Sequence, residues 1–138
     1  NLARLTGRND FLSAAESALV AASGVMSSSP QAAAQSLRVL LRHLQPSREY
    51  VLVAGSDGAE FAKLRQTLLK RMDPLAVTVC LATANDEAGQ VDRNELAKIC
   101  PLVAHRPPVD SQATLYVCES FSCQQPIVGM TAIVDELH

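Results

Sequence analysis

Three uninterrupted apolar runs constrain the fold of this chain more than any other feature. They are YVLVAG at residues 50–55, LAVTVCLAT at 75–83 and ATLYVCES at 113–120. A strand that is buried on both faces of a sheet lacks the polar alternation of a half-exposed strand. The runs therefore predict three buried strands in a small layer that other elements cover on both sides.

Segments with a helical repeat alternate with these strands. Apolar residues recur at helical spacing from about Gly58 to Met72, and Asp92 and Glu95 can cap a short helix. The closing sequence VGMTAIVDELH forms a last helix. The order β-α-β-α-β-α predicts a small α/β domain over residues 47–138, with a three-stranded, mostly parallel sheet and right-handed crossovers.

Residues 1–46 instead have the pattern of two helices. The apolar stripe of the first helix consists of Phe11, Ala15, Leu19, Ala22 and Met26, and that of the second consists of Leu37, Leu40, Leu41 and Leu44. Asn9 or Asp10 is the expected N-cap of the first helix, and Ser29, just before Pro30, is that of the second. The short connector between the helices predicts an antiparallel hairpin.

The opening sequence NLARLTGR has the pattern of the last turn of a helix. Leu2 and Leu5 keep helical spacing, and Gly7 stands where a left-handed C-cap is favoured. The chain also lacks an initial Met. Because a domain rarely begins inside a helix, we expect this chain to be the carboxy-terminal piece of a larger protein.

The composition argues against several classes of partner. The formal net charge is −2, so nothing attracts the chain to nucleic acid or to an anionic membrane. Aromatic residues make up 4% and Trp is absent, which leaves few rings for stacking on bases or sugars. No uninterrupted apolar run approaches the roughly 20 residues of a membrane span. We expect a soluble, intracellular protein with neither nucleic acid nor membrane as partner.

The turn Gly55-Ser56-Asp57-Gly58 is the first candidate site. It lies between a strand and a helix, where backbone N–H groups favour an anion and glycines let one approach. It is neither a dinucleotide-binding loop nor a phosphate-binding loop with Lys and Ser/Thr. The alternative interpretation is a tight turn in which Asp57 caps the helix.

Cys118 and Cys123 are the second candidate site, a redox or disulfide pair. In an extended strand their α-carbons would lie roughly 16 Å apart, so a disulfide requires the chain to turn back after Ser120. The spacing leaves open a disulfide, a reactive dithiol or two buried structural thiols. Cys80 and Cys100 lie in apolar surroundings and have the setting of small buried hydrophobic residues. Four cysteines do not form a disulfide scaffold, and a reducing compartment is the default.

A zinc site is a third interpretation of the cysteine pair. Cys100 and His105 would be the further ligands, but they do not form the paired clusters that closed zinc sites have. Acidic residues are spread over loops and solvated helix faces, without a Ser-His-Asp set or a carboxylate pair. We therefore expect no metal, no cofactor and no catalytic residue in this chain.

The tail ATLYVCESFSCQQPI at 113–127, together with the opening NLARLTG, the helical hairpin and YVLVAGSDG, resembles a known family. It is similar to the carboxy-terminal region of the thioredoxin-domain-containing proteins related to spermatogenesis-associated protein 20. In that family a thioredoxin-like domain precedes a six-hairpin α/α barrel, which is similar to the sugar 2-epimerases. The resemblance implies that the hairpin of residues 1–46 ends such a barrel, and that the thioredoxin-like domain lies upstream.

Four interpretations of function follow, in order of preference. The first is a non-catalytic structural or interaction module of such a protein. Its partner would be the upstream part of its own protein or a second copy, bound through the apolar helix faces. The others are a redox module that uses a dithiol of Cys118 and Cys123, part of a carbohydrate-active barrel enzyme, and a small-ligand or nucleotide module that uses the turn at Gly55.

Overall fold

The computed structural model describes residues 1–46, 48–71, 73, 75–82, 93–119 and 122–137. The predicted class is confirmed, because a helical segment precedes a mixed α/β layer. In chain order the elements are α1 (Leu2–Thr6), α2 (Asn9–Ser28), α3 (Ala34–Leu44), β1 (Arg48–Val53), α4 (Gly58–Lys70), β2 (Ala76–Leu81), α5 (Arg93–Ile99), a short 3₁₀ turn (Pro101–Val103), β3 (Thr114–Glu119), β4 (Ser122–Cys123), β5 (Ile127–Val128) and α6 (Met130–Leu137).

The sheet has the strand order β2-β1-β3-β4, and β5 pairs with β3 as well. β1 and β2 are parallel, as expected of a strand-helix-strand unit, whereas β3 is antiparallel to β1. The prediction of three mostly parallel strands is therefore wrong in number and in direction. An apolar run reports that a strand is buried but not which way it runs. The two short strands, of two residues each, are too short to leave a sequence pattern.

The two faces of the sheet bury separate apolar clusters. On one face α4 and α6 cover the sheet, with Leu64 and Ile133 packed against Leu52 and Leu115. On the other face the 3₁₀ turn contributes Leu102 and Val103, while α1 and α5 add half-buried residues such as Leu5 and Leu96. This double burial explains why the three strands read as continuous apolar runs.

The capping predictions have mixed outcomes. Gly7 is the left-handed C-cap of α1, with a φ of 66°, as predicted. The predicted N-caps of α2 and α3 are wrong. The Asp10 carboxylate binds the Arg8 guanidinium at 3.0 Å instead of capping the helix, and α3 begins at Ala34, after turns that follow Pro30. The predicted helix end at Met72, the cap at Asp92 and the turn at Ser120 lie outside the described residues.

The helices α2 and α3 pack on each other but belong to neither apolar cluster of the sheet. Four of the five residues in the predicted stripe of α2 are half-buried, and Ala15 is exposed. In α3, Leu37 and Leu40 are half-buried while Leu41 and Leu44 are exposed. Neither helix contains a buried residue. The predicted apolar stripes are therefore partly covered, and the most exposed large apolar side chains of the pair are Val20 on α2 and Leu44 on α3.

Two arginines connect the helical segment to the start of β2. The Arg4 guanidinium donates hydrogen bonds to the backbone oxygens of Leu75, at 3.0 Å, and Arg42, at 2.5 Å. Arg42 in turn donates to the backbone oxygen of Ala76. Burial, followed by the charge of Arg4, lowers the pKa of Arg42. These polar contacts thus join residues 1–46 to the α/β layer, in addition to the apolar packing of Leu5 on α1.

Candidate functional site

Cys118 and Cys123, the second candidate site, are joined by a disulfide with 2.10 Å between the Sγ atoms, which decides among the three alternatives that the spacing left open. They lie opposite each other on the antiparallel strands β3 and β4. The backbone N–H of Gln124 donates to the oxygen of Val117 at 3.0 Å, so the cysteines occupy the adjacent non-hydrogen-bonded position. Side chains approach closest at such positions. Because β4 runs antiparallel to β3, the two cysteines face each other, as a disulfide between them requires.

Glu49 belongs to the same row of side chains across the sheet. It lies opposite Cys118 on the neighbouring strand β1, and directly opposed residues point to the same face. Glu49 has no exposed surface, and Cys118 is 1% exposed, whereas Cys123 at the edge of the sheet is exposed. The row therefore runs from a buried carboxylate through a buried sulfur to an exposed one.

Arg106 provides the positive charge of this site. Its Nη2 atom lies 2.9 Å from the Sγ of Cys123 and 3.4 Å from the Sγ of Cys118. Burial lowers the pKa of the Arg106 guanidinium, and the charge of Glu49 opposes that shift. An arginine remains protonated at neutral pH even when partly buried. The cation is thus placed where a negative charge would develop if either sulfur became a thiolate.

The backbone around Arg106 is held against β3 by hydrogen bonds. The hydroxyl of Tyr116 donates to the oxygen of Pro107 at 2.7 Å, and the backbone N–H of Val109 donates to the hydroxyl of Thr114 at 2.9 Å. Burial raises the pKa of the Tyr116 phenol, so the phenol remains a donor at neutral pH. These bonds fix the proline-rich connector and therefore the direction of the arginine.

A groove of about 460 Å³ adjoins Arg106. Its lining consists of α5 residues and the connector, namely Arg93, Asn94, Ala97, Lys98 and residues 103–107. The charged side chains among them are basic, and Lys98 also bonds to Glu95 at 2.5 Å. The groove thus offers a basic recess that shares Arg106 with the sulfur pair.

Comparison of the chain with protein-family models, with curated proteins and with solved structures finds no match. The function of the site therefore has to be argued from its geometry.

The turn at Gly55 has a structural explanation. The Asp57 carboxylate accepts hydrogen bonds from the backbone N–H groups of Ala59, at 2.8 Å, and Glu60, at 3.1 Å. These are the groups that an anion would bind, so the helix already has its acceptor. Gly55 lies where the backbone of residues 111–113 passes, and a β-carbon there would come within 2.5 Å of that backbone. Close backbone packing, rather than a ligand, accounts for this glycine.

The other cysteine interpretations fare differently. A zinc site at Cys118 and Cys123 is incompatible with their mutual bond, and the described residues contain no group of three metal-binding side chains. Cys100 is buried, as predicted, and Cys80 is half-buried. Burial raises the pKa of the Cys80 thiol, which disfavours its reactive thiolate. The reactive sulfur chemistry of the described residues thus centres on the disulfide.

Sequence reasoning missed Arg106 and Glu49 as members of the site. Arg106 appears in the sequence only as the start of a proline-rich connector. Glu49 was the clearer signal, because it is an acidic residue directly before the apolar run of residues 50–55 and belongs to β1. A buried carboxylate has to find a positive or hydrogen-bonding partner, and that requirement predicts a cation nearby.

Proposed function

We propose that this chain is a structural and interaction module, in which the α2–α3 pair docks against other α-helices. The observation that supports the proposal is the exposure of large apolar side chains on a helical pair that has no buried residue. Val20 is 74% exposed and Leu44 is 69% exposed, and Leu12, Val25, Val39 and Leu41 add to the same helices. An exposed apolar surface of this kind is typical of an interface.

The composition of α2 favours helices as the docking partner. Its 20 residues include five alanines and a glycine, so a second helix can approach closely. Asp10 and Glu16 are its only charged side chains, and Glu16 lies 3.6 Å from His43 on α3. A helical pair with exposed apolar side chains is typical of one half of a bundle or one unit of an α/α barrel. This arrangement agrees with the resemblance to the thioredoxin-domain-containing family, and we propose that the chain is the carboxy-terminal module of such a protein.

A membrane is the competing partner for α2. By length and composition this helix is apolar enough to cross a bilayer, with a mean hydropathy of 1.2. The search of the sequence for a continuous apolar run did not find α2, because Glu16 and several serines interrupt its apolar residues. Those polar residues and the contact with His43 favour a protein partner. The α/β layer buries its own core as a soluble domain does, and we propose an intracellular location for the chain.

Substituting Val20→Gln and Leu44→Gln together tests the docking face. Because both side chains are exposed, we expect the free energy of unfolding of the double variant to equal that of the unchanged chain within about 0.5 kcal/mol. Its self-association at high concentration and its binding of anilinonaphthalene sulfonate should fall at least about threefold. Sedimentation, dye fluorescence and urea denaturation measure these quantities.

The matched control is Leu64→Gln, which places the same amide in the buried core and should cost about 3 kcal/mol or more. A loss of similar size in the Val20→Gln/Leu44→Gln variant would contradict the proposal, since the chain itself would then cover the face. So would an unchanged chain that neither self-associates nor binds the dye. Stable retention on neutral phosphatidylcholine vesicles would contradict it in favour of the membrane.

A further inference from the structure

We propose that the Cys118–Cys123 disulfide is a thiol-exchange site for small thiols that carry a carboxylate, which bind in the groove beside Arg106. The site contains no residue of α2 or α3, so exchange chemistry and helix docking can be tested separately. Three observations combine in the proposal: the unequal exposure of the two sulfurs, the position of the Arg106 guanidinium, and the basic lining of the adjoining groove.

The exposure of the sulfurs determines which one is attacked. Cys123 is exposed at the edge strand β4, whereas Cys118 is 1% exposed inside the cluster beneath the sheet. An incoming thiolate therefore reaches the Sγ of Cys123. Its electron pair forms the new sulfur–sulfur bond while the Cys118–Cys123 bond breaks, and the electrons of that bond remain on the Sγ of Cys118.

Arg106 stabilises the leaving sulfur. A buried thiolate at Cys118 would be costly by itself, but the Arg106 Nη2 lies 3.4 Å from that sulfur and can donate a charge-assisted hydrogen bond. A second small thiolate then attacks the small-thiol sulfur of the mixed disulfide and releases Cys123 as a thiolate, 2.9 Å from the same nitrogen. Two small thiols become one disulfide, the cysteine pair gains two electrons, and the protons from the small thiols pass to the two cysteines.

The groove selects for charge. Arg93 and Arg106 line it, and its charged lining residues are all basic. A carboxylate on the incoming thiol gains Coulomb energy there, whereas an ammonium group loses it. Among the described residues, Glu95 on α5 is paired with Lys98, and Glu49 is fully buried in the row that contains the two sulfurs.

Three small thiols of different charge test the proposal. The oxidised chain is mixed with thioglycolate, mercaptoethanol or cysteamine. For each reagent the rate of disulfide loss per thiolate is divided by the rate of the same thiolate with the neutral disulfide of mercaptoethanol, because intrinsic nucleophilicity also depends on the thiol pKa. On this relative scale we expect thioglycolate to react about tenfold faster than cysteamine, with mercaptoethanol between them. Mass spectrometry of the quenched reaction should find the small thiol on Cys123.

Two variants assign the preference to the groove. Arg93→Gln, at an exposed position, should reduce the ratio of the thioglycolate rate to the cysteamine rate by about threefold. Arg38→Gln removes the same charge from an exposed position on α3, and it should leave that ratio unchanged. Equal rates for the three thiols, attachment mainly to Cys118, or a ratio that Arg93→Gln does not alter would each overturn the proposal.

Discussion

Replacing Gly55 with alanine should destabilise the chain by about 3 kcal/mol, the upper part of the usual range for overpacking a filled site. The new β-carbon would lie 2.5 Å from the backbone carbon of Gln112 and from the backbone oxygen of Ser111. Backbone atoms cannot rotate away as the end of a long side chain can. They are also held here by the hydrogen bond from the Ser56 N–H to the Ser111 oxygen, at 2.8 Å.

Gly58 provides the matched control for this substitution. It lies three residues further along the same turn, and a β-carbon there meets nothing within 4 Å. Gly58→Ala should leave stability unchanged or raise it by up to about 1 kcal/mol, because alanine is the better helix former. Urea denaturation of both oxidised variants measures the difference. Equal stability of the two would contradict the close approach and reopen the turn as a ligand site.

The second large effect is expected at Arg106. Arg106→Leu should cost about 3 kcal/mol, because it removes the cation whose charge interacts with that of the fully buried Glu49 carboxylate. Arg38→Leu, at an exposed position, should cost less than about 0.5 kcal/mol.

A double-mutant cycle isolates the coupling between the two charges. Replacing both residues, in Glu49→Leu/Arg106→Leu, should restore at least about half of the stability that Arg106→Leu loses, since the buried carboxylate is then removed together with the cation. Urea denaturation with the disulfide intact measures all four corners of the cycle. If Glu49→Leu costs as much stability in the Arg106→Leu background as it does by itself, the two charges are independent.

Much of this fold follows from the sequence. The three apolar runs correspond to β1, β2 and β3 within two residues at each end, because burial on both faces leaves an unmistakable pattern. The helix between β1 and β2, its cap at Asp57 and the left-handed Gly7 are equally local properties. Each depends on residues that are neighbours in the chain.

The direction of β3 and the residues that make up the site could not be predicted from the sequence. The chain segment between β2 and β3 decides whether β3 enters the sheet parallel or antiparallel, and no periodicity encodes that path. Arg106 reaches Cys123 across 17 residues, and Glu49 meets Cys118 through strand pairing. The spacing of two cysteines could predict a pair, but only the tertiary fold adds the cation and the groove that suggest its chemistry.

We propose that the α/β layer is a self-sufficient unit and that α2 and α3 form an uncovered docking pair. Native-state hydrogen exchange on the monomeric chain tests it most directly. The buried-face helix α4 is the proper reference, because it is a helix of the α/β layer with Leu64 in the core. We expect the amides of α2 to exchange at least about a hundredfold faster than those of α4 and β1, since local unfolding of α2 exposes no core. Equal exchange of α2, α4 and β1, through one global opening, would contradict the account.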